Sequence, residues 1–235
     1  MVARAAGPEA RPARRFSRRL SEWLDRGDGR PLPRKTALIA IAGYALFTVS
    51  YLAINEFSVG RPAATLYLPG ESSIPLIPEF EFLYVLGYLL PVYAVFMIAT
   101  TTDVVRFVWA FLLTLGVAYA VYLVFPVYLE RPILEVHSPA TYMLSLEYMD
   151  HSYNHFPSLH VALVWLGYLA GRSGMRFPRV YVVLAVGMSI APVFIKQHYA
   201  VDLAAGAVLA WLSWRAAGRI MRSNSPVEVA GSADR

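Results

Sequence analysis

Two short polar segments are set into an otherwise apolar chain: Asn154-His155-Phe156-Pro157-Ser158-Leu159-His160 and Lys196-Gln197-His198-Tyr199-Ala200-Val201-Asp202. His198 and Asp202 are four residues apart, so at a helix start they share one face. A carboxylate beside an imidazole fixes its tautomer and supports positive charge on it, as an activated histidine requires. His160 follows Pro157 and Ser158. Serine there is a good N-cap, and a helix N-terminus presents free N–H groups to an anion. Arg131, followed by Pro132, has the fork that grips phosphate bidentately, and Lys196 offers a second positive charge. Two histidines, cations and a helix N-terminus without clustered acids describe a phosphate site.

The elements that must carry these residues are membrane spans. Hydrophobic residues make up 57% of the 235 positions and charged residues 16%, with a mean hydropathy of +0.47. Such values suit an integral membrane protein better than a soluble domain. Six apolar runs, at 36–57, 80–100, 104–127, 158–172, 178–195 and 201–218, each approach the ~20 residues that cross a bilayer. Pro91 interrupts the second and predicts a kink. The expected fold is an all-α integral membrane protein, a six-transmembrane-helix bundle. A basic arm at 1–35 precedes the six-span catalytic domain at 36–218, and a tail at 219–235 is expected to lack order. With no cysteine, disulfides and thiolate metal sites are excluded.

The net charge of +5 resembles a nucleic-acid signature until its placement is considered. Eighteen of the 21 Lys/Arg fall on the side that holds both termini; only Arg61, Arg131 and Lys196 fall on the other. The positive-inside rule then makes the termini cytoplasmic, and the loops at 57–79 and 128–157 and the turn at 196–200 face outward. Both polar segments therefore open on the extracytoplasmic face of a cell membrane, and no nucleic-acid partner is expected. In the arm, Phe16, Leu20, Trp23 and Leu24 recur at helical spacing among Arg14, Arg15, Arg18 and Arg19. That pattern fits a basic amphipathic helix on anionic lipid or, equally, a flank that only sets topology. A cleaved signal peptide is not expected, because the charged region is long and no small-residue site follows the first span.

Blander readings exist for each residue. His137, His151 and His155 fit interfacial anchors, Ser158 a plain N-cap, and Arg131 a snorkelling side chain. His160, His198 and Asp202 at matched depth in ionisable-poor spans are another matter. They could also bind zinc in a transporter or metalloenzyme, although Arg131 and Lys196 would repel the ion. A protease built on Ser158 lacks the Gly-x-Ser-x-Gly elbow.

These segments resemble the type-2 phosphatidic acid phosphatase superfamily, particularly its inositol phosphorylceramide synthase-like branch. The resemblance rests on Arg131-Pro132 after the third span, on Pro157-Ser158-Leu159-His160 opening the fourth, and on His198 to Asp202 between the fifth and sixth. It covers roughly residues 70–215. Departures are clear: Val124 stands where the phosphatases have Lys, Ala191 and Pro192 where they have Ser-Arg, and Leu159 where they have glycine. Two phosphate-binding cations are missing, with Lys196 the only nearby replacement.

The resemblance implies a histidine-dependent, metal-independent enzyme without cofactor. His198 would attack phosphorus and become a phosphohistidine, oriented by Asp202. His160 would protonate the leaving oxygen and then deprotonate a water or alcohol acceptor. Arg131, Ser158, Lys196 and the backbone at Leu159 would hold the phosphate oxygens. The expected substrate is a membrane lipid, with headgroup phosphotransfer on a phospholipid or sphingolipid as the leading activity. The alternative is a lipid phosphate phosphatase acting on phosphatidate or a polyprenyl phosphate or diphosphate.

Overall fold

The computed structural model describes residues 12–223. The expectations for 1–11 and for the tail at 224–235 concern residues outside the described ones. The architecture is all-helical: α1 (Pro12–Leu24), α2 (Pro33–Ser58), α3 (Glu81–Tyr84), α4 (Leu86–Phe96), α5 (Thr101–Val124), α6 (Pro139–Glu147), α7 (Leu159–Gly171), α8 (Pro178–Phe194) and α9 (Ala200–Ser223). Short 3-10 turns lie at Glu71–Ser73 and Pro78–Phe80. No strand occurs among the described residues.

Three stretches, Pro33–Ser58, Pro78–Phe96 and Thr101–Val124, are long and apolar enough to cross a membrane. α7 and α8 are apolar but shorter. α2 turns large apolar side chains outward, with Ile41 66% and Val49 70% exposed, as lipid-facing positions require. The second stretch breaks at Val85, between α3 and α4, while Pro91 itself sits inside α4. The helix break thus lies six residues before the proline rather than at it. That stretch also ends at Phe96, earlier than the sequence predicts, because Thr100 caps α5 by accepting from the Asp103 N–H.

α7 is the centre of the bundle and packs on α4, α5, α8 and α9. Its buried Val164, Leu166 and Ala170 belong to two apolar clusters that join these helices. α1 is helical and lies against α5 and α9. Phe16 meets Trp109 edge-on at 5.4 Å, the Trp109 indole N–H donates to Ser17 Oγ at 3.0 Å, and Leu24 is fully buried. α9 remains helical through Ser223, so the expected disorder does not begin at 219.

Candidate active site

The starts of α7 and α9 meet at one end of the bundle. Ser158 caps α7 by accepting from the Val161 N–H, and its own N–H donates to the Asp202 carbonyl at 3.1 Å. Gly206, one turn into α9, makes this approach possible: a Cβ there would collide with the Ser158 carbonyl. The two polar segments are thereby locked together through backbone, before any side chain is considered.

His198 stands between them. Its Nδ1 lies 3.3 Å from Asp202 Oδ2 and its Nε2 lies 3.2 Å from Ser158 Oγ. Asp202 is fully buried; Oδ2 also accepts from the Tyr199 N–H at 2.9 Å, while Oδ1 has no partner. With the carboxylate on Nδ1, the proton resides there and the Nε2 lone pair points away from Asp202. His160 presents its ring 6.2 Å from that of His198, centroid to centroid, and its Nδ1 lies 3.1 Å from the Tyr84 hydroxyl. Leu159 is buried as the first residue of α7, whose opening turn carries N–H groups lacking intrahelical acceptors.

Arg131 reaches the same place from the loop after α5. Nη1 donates to Asp150 Oδ1 and to the Asp150 carbonyl, both at 2.8 Å; Nη2 donates to Gln197 Oε1 at 2.8 Å, and the buried Nε has no partner. The guanidinium lies over the Tyr148 ring. Lys196 is not drawn in. It occupies a left-handed position, φ 52°, and its ammonium donates to the Ile74 carbonyl at 2.6 Å. Burial lowers its pKa, opposed by Glu71.

Several residues of the site were given a blander reading from sequence, as His155 was, or no role at all. His155 is buried with its ring 5.4 Å from that of His198, and Nε2 pairs with Ser152 Oγ at 2.8 Å. Burial, then the neighbouring His198 and Arg131, push its pKa well down. Gln197 and Asp150 orient Arg131, and Tyr84 orients His160. The expectation of no clustered acids is corrected. Asp150 contacts Arg131, Glu147 accepts from the Tyr88 hydroxyl at 2.8 Å, and Glu81 is fully buried with both carboxylate oxygens unpartnered. Burial raises the pKa of Glu147. An ionisable residue in an apolar span was the available signal for Glu81. Among the described residues, the trio with metal-ligand geometry is also not the expected one. It is His155, His198 and Asp202, whose ligating atoms lie within 4.8 Å of one another.

A family model for the PAP2 superfamily matches residues 107–226, just over half of the chain, and spans every residue placed at the start of α7 and α9. The chain belongs to the PAP2 superfamily. Members of this superfamily are phosphatases and phosphotransferases acting on phosphate esters. No curated protein and no solved structure matches the chain. The PAP2 match begins within α5, so α1 to α4, including the Tyr84 partner of His160, lie outside it.

Proposed function

We propose that this PAP2 protein is a membrane lipid headgroup phosphotransferase that works through a phosphohistidine at His198. The observation that carries the reading is the division of labour on one imidazole: Asp202 at Nδ1, Ser158 at Nε2. Nε2 attacks phosphorus as the P–O bond to the leaving group breaks, and His160 gives that oxygen its proton. In the second step the acceptor oxygen attacks, the P–N bond breaks, and His160 takes the acceptor's proton. The α7 N-terminus, Ser158 and Arg131 Nε stabilise the equatorial oxygens.

A lipid substrate is supported by an apolar cavity of 280 Å³ that begins at His160 and runs between α2, α4 and α5 to Phe16 and Leu20 of α1. A hydrocarbon chain seated there brings its phosphate to the histidines. A diester is supported by charge. Arg131 is already paired with Asp150, and Lys196 is committed to the Ile74 carbonyl. Less positive charge remains than a monoester dianion favours. The reading keeps six spans, cytoplasmic termini and an extracytoplasmic site, on the 18-to-3 distribution of Lys/Arg. Assignment to the inositol phosphorylceramide synthase-like branch is part of the same proposal.

Phosphatase action alone is the runner-up, since water can replace the alcohol. The metal reading now rests on His155, His198 and Asp202, with Arg131 acting electrostatically on His155. The purified protein, given lipid phosphodiester and phosphomonoester in excess chelator, should turn over the diester and trap acid-labile phosphate or phosphodiester on His198. Wild-type-like turnover by His198→Ala would remove the assignment. Loss of activity on chelation, restored by zinc, would favour the metal reading.

A further inference from the structure

At the end of the bundle opposite the histidines, five arginines converge on one concavity. Arg106 near the start of α5, Arg172 at the end of α7, and Arg215, Arg219 and Arg222 on α9 line a cavity of 340 Å³ with Trp211 and Trp214. α7 separates it from His160 by about 20 Å, at 1.5 Å per residue. It is a separate site.

Arginines beyond a span are ordinarily solvated flanks that set topology. Three observations distinguish this group. Arg106 is built into the fold: Nε and Nη2 donate to the Trp214 carbonyl at 3.2 and 3.0 Å, and the guanidinium lies 3.9 Å from the Trp214 ring centre. Gly218 of α9 lets the guanidinium lie close against the helix, since a Cβ there would stand 2.8 Å from Arg106 Nη2. Positive charge also predominates in the lining. Among the described residues none of the five forms an ion pair. Asp103 is the one carboxylate acting on Arg106, while Arg172 and Arg222 act on it with like charge.

Like charges gathered from three helices repel unless an anion neutralises them. Guanidinium forks match phosphate oxygens. Trp211, 48% exposed at the rim with Arg215 over its ring, has the amphipathic character of a residue at headgroup level. We propose that this cavity binds a phosphate group, carried by an anionic phospholipid of the adjacent leaflet or by a soluble phosphate. Arg106 forms its floor, and Arg172, Arg215, Arg219 and Arg222 form its walls. Bound phosphate ties together the ends of α7 and α9 remote from the histidines. The site stands independently of the reaction at His198.

The full chain in detergent, followed by native mass spectrometry, tests this with phosphatidylglycerol, phosphatidylcholine and inorganic pyrophosphate as probes. Wild type should retain phosphatidylglycerol over phosphatidylcholine. The double variant R215Q/R219Q should bind it roughly thirtyfold more weakly, the scale for removing two arginines facing an anionic surface. Both side chains are exposed, so an unchanged thermal midpoint without ligand verifies the fold. His198→Ala should retain the lipid as wild type does. Pyrophosphate binding with the same sensitivity to R215Q/R219Q, but without lipid retention, assigns a soluble source. Equal retention of both probes by wild type and R215Q/R219Q overturns the site. Loss of phosphatidylglycerol from His198→Ala overturns it too, by placing the lipid at the histidines.

Discussion

Asp202 has one carboxylate oxygen on His198 Nδ1 and on the Tyr199 N–H, and the other unpartnered in a fully buried setting. Holding a charge there costs free energy, and its effect is to keep the histidine proton on Nδ1. Asp202→Asn tests this directly. An amide N–H facing Nδ1 would move the proton to Nε2, the nitrogen proposed to attack. Turnover should fall by roughly 10⁴, the scale for a wrong-tautomer histidine, with substrate affinity little changed. A loss below tenfold would show that the carboxylate does not set the tautomer. Arg131 illustrates another residue-scale point. Its sequence context shows a phosphate ligand in waiting, yet its two Nη groups are engaged with Asp150 and Gln197. In the proposed mechanism it would act as a fixed positive wall more than a free clamp.

At the scale of elements, α7 is the organising piece. Its start carries Ser158 and His160, its middle packs the bundle, and its end reaches the arginine cavity. Beside it, α2 and α4 leave the apolar groove that ends on α1. Gly43 lines this groove, and a Cβ there would meet only Phe111 ring atoms at 3.6 and 3.7 Å, an ordinary contact. A larger side chain would therefore project into the cavity without breaking the helix packing. Gly43→Leu should lower kcat/KM for long-chain substrates while sparing short-chain ones. Displacing about three methylenes costs about 2.4 kcal/mol, or roughly 60-fold. Equal loss on both chain lengths would mean that the groove does not hold the chain. On that reading α1 would do more than flank the bundle with charge, because Phe16 and Leu20 line the far end of the groove.

At the scale of the whole molecule, the chain is polarised: the histidines lie at one end and the arginine cavity at the other. The absence of cysteine makes the proposed topology directly measurable. Leu68→Cys, at a position 48% exposed between α2 and α3, should react with an impermeant maleimide in intact cells. Arg26→Cys, exposed between α1 and α2, should react only after permeabilisation. The reverse pattern would turn the site to the cytoplasm.

What the sequence by itself determined is what is local or repeated along the chain. The long apolar stretches follow from bilayer thickness, a requirement each helix meets alone. The pairing of His198 with Asp202 was legible in their four-residue spacing, although His198 sits in the turn before α9 and only Asp202 lies in its first turn. The capping role of Ser158 needs only its neighbours. Tertiary structure decided whatever depends on residues far apart in the chain. Tyr84 meets His160 across 76 positions and Arg131 meets Gln197 across 66, and neither partner carries a local pattern. His155 fitted an anchor until burial brought it against His198. Lys196 had suitable charge and position along the chain, but a left-handed backbone and the Ile74 carbonyl direct it elsewhere. The arm's arginines and apolar residues fitted a helix or a loose flank alike; the edge of Trp109 and the surface of α5, invisible in one dimension, supplied the packing that a short helix needs.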